Sequence, residues 1–208
     1  MGLLFPRKCI LCRRLLRREE LDLCGECRGD TDSWKPGKSK FQFLDSMTAV
    51  WYYEERVRGC IVRYKFCGAR HLAANLGRCL AMRFVQEDLD YDLLTWVPVH
   101  SWRKFRRGYD QVELLAKAVG KELGVCPVRT LKKIRGNRKQ STLRDVSQRR
   151  ANVLGVYRIT DPKLVAGKRV LLLDDIITTG STAGECARVL LTAGAKEVHC
   201  GCVAAAHK

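Results

Sequence analysis

The 208 residues include 39 lysines and arginines against 22 acidic residues, which gives a formal net charge of +17, and 46% of the residues are hydrophobic. This composition excludes a disordered chain, and no apolar run is long enough to span a bilayer. The first residues, MGLLFPRKC, form neither a secretory leader nor a myristoylation pattern. We therefore expect a cytoplasmic protein without membrane insertion, built from one ordinary domain and a small appendage.

The chain opens with two C-x2-C pairs that are separated by eleven residues. Two such pairs can bring four thiolates to one tetrahedral metal ion, and a reducing compartment disfavours disulfides. We predict a structural zinc site with no open position for catalysis, and its ligands are Cys9, Cys12, Cys24 and Cys27. Seven further cysteines have apolar neighbours and are interpreted as small core residues: Cys60, Cys67, Cys79, Cys126, Cys186, Cys200 and Cys202.

A polar passage over residues 29–40 predicts a linker, which divides the chain into a zinc module with its linker (1–40) and a second domain (41–208). In the second domain, strand-like segments alternate with helix-like ones. Asp110 is expected to cap a helix that ends at Gly124. We predict strands over 47–53, 93–99, 126–131, 169–175 and 196–205, and helices over 57–85 (with a break near Gly68), 112–123 and 182–193. This alternation predicts an α/β fold, a mostly parallel sheet covered on both faces.

The stretch 170-VLLLDD-175 has no polar alternation, which predicts a central strand buried on both faces. Ligands bind beyond the carboxyl ends of such strands, where Asp174 and Asp175 lie. The next stretch, 178-TTGST-182, leads into a helix whose first amides attract anions. A nucleoside triphosphate loop needs a lysine after its glycine, and none follows here. A sugar phosphate fits best: its hydroxyls donate to the acids, and its phosphate binds the loop.

The stretch 171-LLLDDIITTGSTAG-184 resembles the phosphoribosyl pyrophosphate (PRPP) signature of the type I phosphoribosyltransferases. Other stretches resemble one branch of them, the ComF family of competence-related proteins: the four-cysteine module, 64-YKFCG-68, 97-VPVH-100 with 106-RRGYDQ-111, and 140-QSTLRDVSQRRANV-153. The resemblance implies the type I phosphoribosyltransferase fold with a small hood, PRPP binding with Mg2+, and a role in DNA uptake during natural transformation.

The resemblance also implies which residues bind PRPP. Asp174 and Asp175 would hold the ribose hydroxyls, directly or through the metal, and the 5-phosphate would lie on Thr178, Thr179, Gly180, Ser181 and Thr182. Pyrophosphate would contact a loop after strand 93–99 and a flexible basic loop within 132–150, because arginine forks suit phosphate oxygens. The candidates are His100, Ser101, Arg103, Arg106, Arg107, Arg135, Arg138 and Lys139. The acceptor would be contacted by Tyr64, Lys65 and Phe66. A core role is equally compatible with the two aromatic residues among them.

The sequence is compatible with two functions. The first is enzymatic, the transfer of phosphoribose from PRPP to an acceptor that the sequence does not identify. The second is a non-catalytic protein that binds single-stranded DNA and uses PRPP as a regulator or keeps its site as a relic. The segment 129–150 holds nine basic residues and one acid, which favours a polyanionic partner. DNA-uptake proteins are further expected partners, and the oligomeric state stays open, although this fold commonly pairs.

Overall fold

The computed structural model describes residues 6–31, 33–35, 41–100, 105, 108–135 and 153–207. The described helices are α1 Gly25–Asp30, α2 Glu55–Phe66, α3 Leu72–Gln86, α4 Gln111–Leu123 and α5 Ser181–Thr192, with a short 3-10 helix at Pro162–Leu164. The strands are β1 Ser46–Tyr52, β2 Leu93–Trp96, β3 Leu131–Lys133, β4 Tyr157–Ile159, β5 Arg169–Ile177 and β6 Glu197–Ala205. No helix within these ranges is long and apolar enough to cross a membrane.

Four parallel strands form the central sheet in the order β1-β6-β5-β2. β5 lies inside the sheet because residues 170–173 are apolar and completely buried. Leu171 and Leu173 pack in one apolar cluster with α2, α3 and α4, whereas Val170 and Leu172 pack in another with α5, β3 and β4. The predicted α/β fold is therefore confirmed, with helices on both faces of a parallel sheet.

The predicted strand over 126–131 is wrong. β3 begins only at Leu131, and it pairs with β4 in a separate antiparallel sheet of two strands. Upstream of it, Val128 donates one backbone hydrogen bond to the Leu94 carbonyl (2.9 Å), but no ladder with β2 follows. Pro127 has no amide to donate, which weakens this stretch as a strand. β4 was not predicted, because three residues carry too little alternation to be recognised.

The helix predicted over 57–85 divides into α2 and α3 near Gly68, as expected, and Gly68 has a φ of +68°. Asp110 caps α4 with its side chain, and Gly124 ends that helix in the left-handed conformation with a φ of 70°. The predicted start of this helix at Asp110 and its predicted end at Gly124 are both confirmed. Because each depends on a single residue and its immediate neighbours, sequence alone was sufficient to place them.

The four-cysteine module packs against α2 and α3. The Arg63 guanidinium donates to the carbonyls of Ile10 and Leu11, and Asp22 accepts hydrogen bonds from Asn75 and Arg78. Cys9, Ile10, Leu11, Cys24 and Cys27 belong to the same apolar cluster as the inner faces of α2, α3 and α4. The module therefore completes the core on this side of the sheet.

The interpretation of all seven remaining cysteines as core residues is partly wrong. Cys67 and Cys126 are exposed, because each lies in a connection just beyond the end of a helix. Cys60, Cys186, Cys200 and Cys202 are buried, and Cys79 is partly so, as the apolar neighbours of these five predicted.

Candidate sugar-phosphate site

Asp174 and Asp175 lie near the carboxyl end of β5, and their exposed fractions are only 9% and 5%. The Asp175 carboxylate is held between two helices. Its Oδ1 is 2.8 Å from the Lys65 ammonium on α2, and its Oδ2 accepts a hydrogen bond from Gln111 Nε2 on α4 (3.1 Å). Both of its oxygens therefore already have a partner from the protein.

The two acids occupy different surroundings, because consecutive side chains of a strand point to opposite faces of the sheet. Asp174 Oδ1 accepts from the backbone amide of Asp175 (2.8 Å). Its charge also contributes to raising the thiol pKa of Cys186 on α5 and Cys202 on β6, although burial is the larger cause for both. Burial first, and then repulsion from Asp175, raise the pKa of Asp174 well above its ordinary value. Asp174 thus faces α5, and Asp175 faces α2 and α4.

Two motif segments meet at Asp175. Lys65 comes from 64-YKFCG-68 and Gln111 from 106-RRGYDQ-111. The segments are also bonded to one another, because Tyr64 donates its hydroxyl to the Gln111 carbonyl and Tyr109 donates its hydroxyl to the Tyr64 carbonyl. Tyr64 is fully buried and belongs to the core. Phe66 is 60% exposed, so a core role for it is wrong, and its contact with an acceptor stays a prediction.

Gly180 precedes α5 at the turn predicted to bind phosphate. Its φ of +73° is left-handed, a conformation that glycine adopts without strain. Thr179 Oγ1 and Ser181 Oγ share a hydrogen bond of 2.8 Å across the turn. A Cβ on Gly180 would lie 2.4 Å from the Phe41 ring, and one on Gly184 would lie 2.8 Å from the Gln42 carbonyl oxygen. Residues 41–42 therefore lie directly on the start of α5, a contact that sequence reasoning missed and that no local pattern indicates.

Beside this turn is a pocket of about 220 Å³. Its polar lining includes Thr179 and Ser181 beside the start of α5 and the ion-paired Glu185 and Arg188, and its apolar lining includes Leu154. The amides of a helix's first turn lack partners within the helix, and together with the helix dipole they favour an anion at that end. The geometry therefore combines buried hydrogen-bond acceptors at the end of β5 with the start of a helix a few residues later.

A family model described as the phosphoribosyl transferase domain matches residues 111–208, which contain α4, β5 and α5. The chain is 29% identical over 183 residues to Competence protein F of Haemophilus influenzae, covering 84% of this chain and 75% of that protein. It is 31% identical over 161 residues to Competence protein ComFC of Streptococcus pneumoniae, covering 74% of this chain and 65% of that protein. The chain belongs to the ComF family, in the phosphoribosyltransferase superfamily. DNA utilization protein YhgH of Escherichia coli (strain K12) is 26% identical over 186 residues, covering 86% of this ComF chain and 76% of that protein.

Two solved structures are also similar to this ComF chain. One is a structure of the allosteric regulatory enzyme of purine biosynthesis, with 25% identity and a TM-score of 0.44 over 64% of this chain and 25% of that chain. The other is glutamine phosphoribosylpyrophosphate (PRPP) amidotransferase from B. subtilis complexed with ADP and GMP. Its identity is 26% and its TM-score is 0.44, over 64% of this chain and 26% of that chain. The ComF chain thus spans about a quarter of the length of these two proteins.

Two of the residues predicted to bind pyrophosphate lie in the described part of the ComF chain. His100 follows Val99, whose amide donates to Asp110 Oδ2 (3.2 Å), so it lies at the same sheet edge as the acids. Arg135 follows β3 and donates to the Leu154 carbonyl (2.7 Å). The other six lie outside the described residues: Ser101, Arg103, Arg106, Arg107, Arg138 and Lys139. All eight remain predictions.

The four cysteines of the ComF module lie together, with their sulfur atoms all within 4.8 Å of one another. Four thiols in this arrangement are a suitable donor set for tetrahedral Zn2+. Arg56 on α2 donates to the Cys27 sulfur (3.5 Å) and so supplies positive charge to the cluster. Sequence reasoning missed Arg56 because it is far along the chain from the cysteines. Arg14, which lies two residues after Cys12 in sequence, pairs with Glu26.

Proposed function

We propose that this ComF chain binds PRPP with Mg2+ at the carboxyl edge of its sheet and transfers the phosphoribosyl group to an acceptor, with a role in DNA uptake. The observation that carries the proposal is the buried acid pair at the end of β5, followed at once by the glycine turn that opens α5. The match to the phosphoribosyl transferase domain supports the transfer of a phosphoribosyl group. The names of the curated relatives support the role in DNA uptake.

Asp175 is able to accept ribose hydroxyls in addition to its present partners. An ionised carboxylate offers about four lone-pair sites; Lys65 contacts Oδ1, Gln111 contacts Oδ2, and the Asp174 side chain also shares a hydrogen bond with Asp175. The terminal phosphate of the same ligand would bind the first amides of α5, where Ser181 and Thr182 add hydroxyl groups. The sugar is then fixed at both ends, which orients C1 for attack by an acceptor.

The transfer breaks the bond between C1 and the pyrophosphate oxygen, so negative charge develops on the leaving group. Basic side chains of the loops after β2 and β3 would stabilise that charge, and His100 and Arg135 are the described candidates. Mg2+ would add positive charge at the pyrophosphate when bound. Among the described residues, only the cysteine cluster brings three or more metal-ligating groups together. Asp174 and Asp175 are oxygen donors of the kind that Mg2+ takes, and such an ion would complete its coordination with phosphate oxygens and water.

Calorimetric titration of PRPP in the presence of Mg2+ tests the proposal. We compare the wild type with a variant that carries both Asp174→Asn and Asp175→Asn. A hydrogen bond to a charged group contributes about 1.5–3 kcal/mol, so the loss of even one such bond should lower the affinity roughly 10- to 100-fold. The matched control is Asp161→Asn, because Asp161 is exposed and caps only the short 3-10 helix. Equal affinities for the folded double variant and the wild type, or no binding by the wild type, would contradict the proposal.

The second candidate is a non-catalytic protein that binds single-stranded DNA. The net charge of +17 favours it, as do the relatives named for competence and DNA utilization. The same variants separate the two functions. Release of pyrophosphate from PRPP that depends on an added acceptor would establish transfer. The DNA-binding function would be favoured by oligonucleotide binding that survives the loss of both acids, in the absence of pyrophosphate release. The logarithm of its affinity should fall by about 0.7 per phosphate contact for each tenfold rise in salt concentration.

A further inference from the structure

The four-cysteine module carries a concentrated positive charge on its surface. Residues 8–18, which we call the basic hairpin, include an antiparallel bridge between Lys8 and Leu15. This segment contains no acidic residue, and its five basic residues are all exposed: Lys8, Arg13, Arg14, Arg17 and Arg18. Within the described residues, only Arg14 of these five makes an ion pair, with Glu26.

The acidic residues of the module do not neutralise the basic hairpin. Four of the five acids that lie within residues 6–31 have other partners. Asp22 is buried and bonded to α3, and Glu20 accepts hydrogen bonds from two backbone amides. Glu26 and Asp30 pair with Arg56 on α2. The basic hairpin therefore faces solvent with most of its positive charge uncompensated.

Hydrogen bonds fix the backbone of the basic hairpin before any ligand binds. The Cys9 amide donates to the Arg14 carbonyl (2.8 Å). The Arg7 guanidinium donates to the carbonyls of Arg17 (3.3 Å) and Arg18 (2.9 Å). A surface whose backbone is already ordered loses less conformational entropy on binding than a disordered segment does.

The basic hairpin packs against α2. The Arg63 guanidinium donates to the carbonyls of Ile10 and Leu11 in the hairpin. Lys65, two residues later on the same helix, pairs with Asp175. Residues two apart on an α-helix point in nearly opposite directions, because one turn takes about 3.6 residues. The basic hairpin is therefore a second surface, separated by α2 from the candidate sugar-phosphate site.

We propose that the basic hairpin binds the phosphate backbone of single-stranded DNA. A guanidinium matches two phosphate oxygens at once, and a nucleic acid carries one charge for every nucleotide, so several of these side chains can be engaged together. An acidic protein segment presents separate carboxylates on flexible side chains, whose ordering costs entropy, so it is the less suitable partner. This inference rests on the second candidate function, DNA binding, and deepens it by assigning the surface.

Fluorescence anisotropy of a labelled oligothymidylate of about 16 nucleotides, measured at several salt concentrations, tests the assignment. The hairpin variant carries Lys8→Gln, Arg13→Gln and Arg18→Gln, because these side chains make no hydrogen bond or ion pair within the described residues. A second variant carries only Lys8→Gln and Arg18→Gln, which leaves the left-handed turn at Arg13 (φ 68°) unchanged if the first one fails to fold. A charge-retaining variant carries Lys8→Arg, Arg13→Lys and Arg18→Lys.

The matched control removes the same charge outside the module. It carries Lys121→Gln, Lys163→Gln and Lys196→Gln, and all three lysines are exposed. Zinc content and thermal melts accompany each measurement, so that a loss of fold is separated from a loss of affinity.

We expect the hairpin variant to bind roughly 10- to 100-fold more weakly than the wild type at about 0.1 M salt, with a dependence of log affinity on log salt that is shallower by about 2. The second variant should reduce this dependence by about 1.4. The charge-retaining variant should bind like the wild type. The control should also do so, because charges far from the contact are screened at this salt concentration.

Unchanged affinity and salt dependence in the folded hairpin variants, or an equal loss in the control, would overturn the assignment. Displacement of the oligonucleotide by polyglutamate at equal charge concentration would overturn it as well, in favour of an acidic protein partner. If the wild type binds no oligonucleotide, the second candidate function itself fails. Transfer from PRPP is tested separately, and the hairpin variants should bind PRPP with Mg2+ as the wild type does.

Discussion

Asp174 carries a carboxyl group into the interior of the protein, where water cannot solvate its charge. Burial raises its pKa well above the ordinary value, the Asp175 charge raises it further, and Lys65 opposes both. The folded chain therefore keeps a proton on Asp174 at pH values where the unfolded chain has released it. The free energy of unfolding must then fall as the pH rises from the ordinary pKa toward the raised one.

Asp174→Asn should remove this part of the pH dependence, because the amide resembles the neutral acid in size and cannot ionise. We expect the Tm of the wild type to fall more than that of the variant as the pH rises above the ordinary pKa of an aspartate, by about 2–4 °C for each kcal/mol of difference. Thermal melts monitored by circular dichroism at several pH values measure this. Asp161→Asn is the control and should follow the wild type. Parallel pH profiles for Asp174→Asn and the wild type would contradict the argument.

At the scale of secondary structure, one residue joins the loop after β2 to the start of α4. Asp110 Oδ1 accepts from the amides of Val112 (2.9 Å) and Glu113 (3.1 Å), while its Oδ2 accepts from the amide of Val99 (3.2 Å). The next residue, Gln111, bonds to Asp175. The cap thus sets both the helix start and the position of a donor in the site.

Asp110→Ala should lower the free energy of unfolding by about 1–2 kcal/mol through loss of the cap, and Tm by about 2–4 °C for each kcal/mol. It should also weaken PRPP binding, because the position of Gln111 is no longer fixed. Asp161→Ala is a matched control, because Asp161 caps the short 3-10 helix through the Lys163 amide (2.9 Å) and is exposed. A fall in Tm no larger than that of Asp161→Ala, with unchanged PRPP affinity, would show that Asp110 does not hold the site together.

The elements with strong local signals could be predicted from sequence, and those that depend on distant partners could not. The apolar run of β5, the Asp110 cap and Gly124 each carry their signal within a few residues. β3 and β4 are three residues each and are stabilised by pairing with one another across a long stretch of chain. The same limit applies to the site. The apolar run placed Asp175 at a sheet edge, but nothing near it in sequence indicates that Lys65 supplies its counter-ion.

At the scale of the whole molecule, α2 connects the cysteine module to the site. Near its start, Arg56 donates to the Cys27 sulfur and pairs with Glu26, and near its end Lys65 holds Asp175. The apolar residues of the module are also part of the main core. Although the sequence predicts residues 1–40 as a separate unit, this packing leads us to expect that the module and the sheet unfold together.

Zinc loss should therefore destabilise the whole chain. Cys27→Ser removes one ligand, so we expect zinc content to fall from one equivalent to less than about half, and Tm to fall in a single transition. A loss of about 3 kcal/mol would lower Tm by about 6–12 °C. Cys126→Ser is the control, because Cys126 is exposed and outside the cluster. Elemental analysis and calorimetric melts measure both effects. Two separate transitions in Cys27→Ser, with the second at the wild-type temperature, would mean that the module folds independently of the sheet.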